Sequence, residues 1–417
     1  MFLAQFLRLL GACAFLCLFL TRSALPPANK IEQVRAFTRD IEFGFVSWTL
    51  DALGLAVEQF ALGTAKYLSP AENRQLVLDY LELIADIHRA EARVRDMYAN
   101  PDIINPEIAS ALERGRLDRL YERRDYLEPL AESIIQAQLN VTLAELHLTL
   151  GGQPLPPVLY HTTPLPLGLI VSPRDIIRQD ANISIDPNLT MEQSVALEER
   201  VDRALNVSTL VVELGGMGTY PTMILETSDI NWLVEVVAHE WVHNFLTLRP
   251  LGMLYDKSPA MRTINETVAS IAGKEIGYAL LARFYPEFLP QPPWPPTEKQ
   301  PYTTEPPEFD FLLEMHITRE TVDEMLAEGQ IRAAEEYMEQ RRHFFWEHGY
   351  YIRKLNQAYF AFHGAYADLP GGAAGEDPVG AAVRDFRRLS PSLSYFLKQL
   401  SWITSFEQLQ STLQDDS

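Results

Sequence analysis

One segment limits the possible folds more than any other, the stretch from Ser228 to Leu246. Ser228 and Asp229 are residue types that cap a helix by accepting backbone N–H bonds. Trp232, Val236, Trp241, Val242, Phe245 and Leu246 then make the helix that follows apolar nearly all round. A helix of that kind is buried, so the rest of the chain has to wrap it. It nevertheless carries His239, Glu240 and His243. Burying two imidazoles and a carboxylate is costly unless something satisfies them. His239 and His243 are four residues apart, so their rings leave one helix face about one turn apart and can share a metal ion. Glu240 lies about 100° round the helix from His239, beside that ion rather than on it, where a carboxylate takes a proton from a metal-activated water. The plainer alternative is that both histidines only hydrogen-bond in a core.

Both cysteines, Cys13 and Cys17, fall in the first apolar stretch, and everything from Thr21 onward is cysteine-free. Disulfides therefore do not hold the folded part together, and a metal site has only His, Asp and Glu to draw on. Catalytic zinc commonly takes three protein ligands and leaves one position open. Leu246 and Arg249 stand where a metzincin has its glycine and third histidine, which excludes that class. Downstream, Arg262-Thr263-Ile264-Asn265-Glu266-Thr267-Val268-Ala269 opens a second helix with small residues at Ala269, Ser270, Ala272 and Gly273. Small residues let two helices approach closely enough for Glu266 to reach the metal. Thr263 and Glu266 also have the spacing of a capping box, so Glu266 has a purely structural reading as well. His316, His343, His348 and His363 show no ligand spacing and read as ordinary helix residues. No other group of histidines and acids along the chain has metal spacing.

The 417 residues are enough for one large or two ordinary domains. A net charge of −21 argues against a nucleic-acid partner, because phosphate contacts demand a basic face. Residues 1–24, with an apolar run from Leu9 to Leu20, have the layout of a secretory signal or retained anchor. That reading implies membrane association at the N-terminus and an exported or anchored protein with its folded part outside the cytoplasm. Residues 31–150 read as helices, with a capping box at Ser69-Pro70-Ala71-Glu72 and breaks at Asn100-Pro101 and Asn105-Pro106. Short β-rich runs follow near Tyr160, Ile170, Val211 and Ile224, so 155–285 reads as a small sheet plus the two helices described above. Residues 286–307 form a proline-rich loop, and 308–417 return to helical periodicity. The expected class is α+β.

His239-Glu240-x-x-His243 followed by Asn265-Glu266-x-x-Ala269 resembles the gluzincin metallopeptidases, and within them the M1 aminopeptidases. The resemblance covers some 30 to 60 residues of the 417. It implies a zincin-like catalytic domain, Zn2+ held by His239, His243 and Glu266, and Glu240 as general base and acid. It also implies a small sheet whose edge strand binds an extended peptide or protein substrate. Gluzincins use a donor to stabilise the oxyanion, for which Tyr351 or its neighbour Tyr350 is the best-placed candidate. Aromatic residues at such spacing are also ordinary core residues. The chain departs from the M1 pattern at Gly215-Gly216-Met217-Gly218-Thr219, where Gly218 replaces the glutamate that holds the substrate's free amine. Glu213 and Glu226 flank that loop and are the candidates to replace it.

The expected function is thus a zinc-dependent peptidase, with aminopeptidase specificity left open. Two rivals remain: a zinc-binding protein of the same fold without turnover, and a membrane-anchored interaction protein with a chance motif. An intact Glu240 weighs against the first.

Overall fold

Helix α1 (Lys30–Thr38) opens at Asn29, whose side chain accepts from the Ile31 N–H. The computed structural model to which it belongs describes residues 29–50, 52, 54, 67–99, 103–289, 309–363 and 378–415. The expected N-terminal signal or anchor (1–24), the Asn100-Pro101 break and the proline-rich stretch beyond Leu289 lie outside the described residues. Among the described residues no helix is long and apolar enough to cross a membrane.

The capping box at Ser69 is formed: the Ser69 N–H donates to Glu72 Oε2 at 2.7 Å, and the Glu72 N–H to Ser69 Oγ at 3.3 Å. Helix α2 (Pro70–Ala99) grows from it. Asn105 caps the short α3 (Pro106–Ala109), and the long α4 (Ala111–Glu145) follows, running through Pro129. Val77, Ile84 and Ile87 of α2 join Ile134, Ile135 and Leu139 of α4 in one buried cluster. Gly151 and Gly152, with φ of +61° and +84°, make the tight turn between β1 (Thr149–Leu150) and β2 (Gln153–Pro154). Two successive positive φ angles are what such a hairpin turn requires, and glycine supplies them without strain.

Two small sheets follow. Strands β3 (Tyr160–Thr162), β4 (Leu167–Pro173) and β5 (Ala181–Ile185) precede helix α5 (Met191–Leu205), and then come β6 (Val207–Val212), β7 (Gly216–Met217) and β8 (Thr222–Ile224). One sheet has the order β5-β4-β6 and is antiparallel. The other has the order β3-β8-β7, with β3 and β8 parallel and β7 antiparallel to β8. The chain is therefore α+β, mostly helical with small sheets.

Helices α6 (Ile230–Thr247), α7 (Pro250–Met253) and α8 (Pro259–Phe284) come next. They are followed by α9 (Phe311–Ala327), α10 (Ile331–Glu347) and α11 (Gln357–His363), then α12 (Pro378–Leu389), α13 (Leu393–Leu400) and α14 (Phe406–Asp415). The largest core joins α2, α4, β3, β8, α6, α8 and α12 to α14. A second lies under β4 and β5 with α1 and α5, and a third is formed by α9 to α11. Packing thus crosses the divisions read from the sequence. The last three helices close over α8, whereas α9 to α11 form the third core, and Ala358 of α11 also packs on Ile170 of β4 and Leu210 of β6.

Candidate metal centre

Asp229 caps α6, its carboxylate accepting from the N–H groups of Asn231 and Trp232. The helix is buried on most sides, with Val237, Ala238, Trp241 and Val242 each at most 2% exposed. Helix α8 crosses beside it. The cap of α8 is Ser258, which accepts from the Met261 N–H, and Pro259 takes the first position. Thr263 and Glu266 therefore lie inside the helix, and the capping-box reading of that pair does not hold. Gly273 sets the approach of the two helices: a Cβ there would lie 2.9 Å from His239 Cβ and 3.0 Å from His239 Cα.

The result is a convergence of three side chains. His239 Nε2 and His243 Nε2 are 3.0 Å apart, and Glu266 Oε2 lies 3.6 Å from the first and 3.3 Å from the second. Glu266 is 5% exposed, and its Oε2 is buried with no hydrogen bond of proper geometry. Donors about 2.0–2.1 Å from a tetrahedral zinc ion stand about 3.3 Å from one another. The three observed separations scatter around that value, so the residues present fit zinc.

The surrounding groups hold this set in place. The His243 Nδ1 pairs with Asn265 Oδ1 at 2.8 Å, while Asn265 Nδ2 donates to the Leu251 carbonyl at 3.3 Å. That second bond fixes which end of the amide faces the ring. Asn265 then accepts from Nδ1–H, and the neutral ring turns its Nε2 lone pair inward. The Tyr255 hydroxyl donates to Glu266 Oε1 at 2.5 Å, leaving Oε2 to face the imidazoles. Neither Asn265 nor Tyr255 was singled out from the sequence. Asn265 stood in the motif beside Glu266, while Tyr255 sits in the connection after α7, where no periodicity marks it.

Charge follows from this packing. Burial alone would lower the His243 imidazole, but the Glu266 charge and hydrogen bonding outweigh it and raise the group from 6.5 to about 9. For Glu266 burial works upward and is overcome by His243 and His239, which hold it well below the ordinary carboxylate range. Burial raises the Glu240 carboxyl, with His239 and His243 opposing. A raised imidazole stabilises the fold fully below pH 6.5 and loses that contribution as pH climbs through about 9. The metal-free protein should therefore lose stability across that window. Zinc needs the neutral ring, so binding at pH 7 should release at least one proton. Calorimetry in buffers of different ionisation enthalpy checks this, and heats that do not depend on the buffer would contradict it.

The three residues open onto a cleft of about 280 Å3 whose other walls include Gly216, Gly218, Tyr255, Arg262 and Phe362. Glu240, 7% exposed, lies under the glycine strand: a Cβ at Gly216 would be 2.6 Å from its Oε1. Strand β7 is an edge of its sheet, paired with β8 alone among the described strands. Arg262, to which the sequence assigns no role, also lines the cleft; it pairs with Asp256 through Nη2 at 2.7 Å, and its buried Nε has no partner.

The remaining candidates lie elsewhere. Tyr351 is 73% exposed and packs edge-on against Trp346, and Tyr350 stacks on Phe311. Neither tyrosine lines the cleft. Both belong to the aromatic packing around α9 and α10, the ordinary role of aromatics at such spacing. Glu213 is exposed just past β6 and is not a cleft residue. Glu226 follows β8 and lies 3.5 Å from Arg124 and 3.7 Å from His88, away from the cleft. One sequence expectation needs correction: a second group with ligand geometry exists, Glu128, Glu132 and His161. Sequence spacing does not show it, because His161 is on a strand that only the fold brings to the two glutamates. Comparison of the chain with protein-family models, with curated proteins and with solved structures finds no match.

Proposed function

We propose that the chain is a zinc-dependent peptidase of gluzincin type, with a zincin-like arrangement of active helix, ligand helix and edge strand. The observation that carries this reading is the orphaned Glu266 Oε2, set 3.3 and 3.6 Å from two imidazole nitrogens at the floor of an open cleft. His239, His243 and Glu266 would hold the ion. When bound, zinc supplies Lewis-acid chemistry, polarising a scissile carbonyl and lowering the pKa of water.

The chain's own groups do the rest. Glu240 is buried beside the two histidines, and burial raises its carboxyl above the ordinary value, which makes it a better proton acceptor. It takes the proton of the attacking water and delivers it to the leaving amine. Asn265 keeps His243 turned, and Tyr255 keeps Glu266 turned. The glycines of β7 leave room for an extended backbone to lie against the strand edge above Glu240. Arg262, whose Nε–H has no partner, is the cleft group whose N–H can face a developing oxyanion.

Glu240 and Glu266 are the only carboxylates on the cleft wall among the described residues. With Glu213 and Glu226 outside the cleft wall, no further carboxylate among the described residues stands ready for a free α-amine, which favours an internal peptide segment as substrate. Matched peptides with free and acetylated N-termini should be cleaved equally, with all cleavage lost on chelation and restored by zinc. No cleavage across a peptide library by zinc-loaded protein would defeat the proposal. A strong preference for free termini would instead restore aminopeptidase specificity.

A further inference from the structure

The second group of ligand-type side chains lies across the same sheet from the cleft. Glu128 and Glu132 are one turn apart on α4, and His161 is the middle residue of β3. The His161 Nδ1 is 3.1 Å from Glu132 Oε1 and 4.0 Å from Glu128 Oε1. One donor atom from each of the three residues lies within 4.8 Å of the others. Strand β7 borders the cleft, β3 carries His161, and β8 runs between them. Two strand spacings, about 10 Å, therefore separate the two places.

Three features distinguish this group from a solvated acidic patch. First, it is built in: Glu132 is 1% exposed, the Thr162 N–H donates to its Oε1 at 2.7 Å, and Trp48 stacks on the His161 ring. Second, acids outnumber the cations near them. Arg124 lies 3.5 Å from Glu226 and 4.0 Å from Glu128 but also 2.8 Å from Asp125, so one guanidinium is shared among several carboxylates, with His88 3.7 Å from Glu226. Burial, and then the Glu132 charge, push the Glu128 carboxyl up to about 8. Third, the Tyr80 hydroxyl is buried beside Thr162 with no hydrogen-bond partner; the residue is 4% exposed. It sits in the field of Glu128, Glu132 and Glu226, whose charges add to burial in raising it. A buried phenol with no bond of full geometry, whose neighbour is Thr162 and which feels three carboxylates, still has hydrogen-bonding capacity to spare.

We propose that Glu128, Glu132 and His161 form a second cation site, for a divalent first-row transition metal, with the Tyr80 hydroxyl beside it and Glu226 at its rim. Two carboxylates and one imidazole are a donor set for Mn2+, Fe2+ or Zn2+. A dication would be held by the two carboxylates once Glu128 gives up its proton. It would clamp α4 to β3, and so hold one edge of the sheet whose other edge faces the cleft.

The probe is Mn2+ alone, added to full-length protein stripped with chelator, with bound metal counted by paramagnetic resonance and elemental analysis. In a His239→Ala/His243→Ala background, which removes the first centre, one Mn2+ per chain is expected to remain. Adding Glu128→Gln to that background should weaken it by at least about 100-fold. If the double background does not fold, wild type and the single Glu128→Gln variant are compared, and one equivalent should disappear. Glu128→Gln is isosteric and replaces a carboxyl that burial already favours in its neutral form, so the stripped variant should melt close to wild type. Equal Mn2+ in wild type and Glu128→Gln, or none in the folded double background, would overturn the site and leave a proton-bridged His161 with two glutamates. Failure of the peptidase reading alone would leave the Glu128-dependent equivalent in place.

Discussion

Replacing Glu240 with Gln is expected to reduce peptide hydrolysis by about 10²- to 10⁴-fold, the range of a general acid–base group, while zinc content stays at the wild-type level. The reason is geometric. Glu240 leaves α6 about 100° from His239 and lies under Gly216 and Gly218, so it is beside the ligand cluster without being one of its three members. Glutamine keeps the shape and the packing against Gly216 but accepts no proton. It also removes a charge that burial disfavours, so the variant should melt at or slightly above the wild-type temperature. The measurement is kcat with a cleaved peptide, together with zinc content and a thermal melt on the same preparation. Wild-type turnover in a zinc-loaded Glu240→Gln protein would remove the residue from the chemistry.

Gly273→Ala should be the most damaging methyl group that can be added to the protein's two central helices. Its Cβ would meet His239 Cβ at 2.9 Å, His239 Cα at 3.0 Å and the Glu235 carbonyl oxygen at 3.1 Å. Two of these three atoms are backbone, so relief comes only by moving α6 and α8 apart. Alanine gains about 1 kcal/mol of helix propensity over glycine, while overpacking a tight interface costs about 1–3 kcal/mol, so the balance is a net loss. The functional loss should be larger still, because parting the helices carries His239 away from Glu266, and a 1 Å misplacement costs about 100-fold in rate. Gly115→Ala on α4 is the control: nothing lies within 4 Å of its Cβ, and it should stabilise by up to about 1 kcal/mol. Thermal melts and zinc affinity of the two variants check this. A Gly273→Ala protein with unchanged zinc affinity would mean that the helices do not need their present contact.

The parts of the fold that can be read along the chain are those with local signals. The Ser69 and Asp229 caps, the β-rich runs at β4, β6 and β8, and the apolar α6 helix each announce themselves within a few residues. Strand β5 and helix α5 were passed over, although Ala181–Ile185 alternates in burial and Thr190 with Gln193 forms a capping box. Both signals are short and lie among turn-forming residues, Asp180, Asp186, Pro187 and Asn188, which blur them. His239, His243 and Glu266 were accessible because two sit at ligand spacing on one helix and the third follows in a recognisable local context. Tyr255, Arg262 and His161 were not, because each acquires its meaning only through chain crossings. Tyr351 shows the converse: a tyrosine placed by analogy with a required donor, which the fold uses against Trp346.

The most direct test is an anomalous difference map at the zinc edge from crystals of the full-length protein grown with zinc. The expected result is a peak bonded to His239 Nε2, His243 Nε2 and a Glu266 carboxylate oxygen, each about 2.0–2.2 Å away. An ordered cleft with no peak between those three atoms, at full zinc saturation, would contradict the assignment of the metal centre and the peptidase chemistry that rests on it.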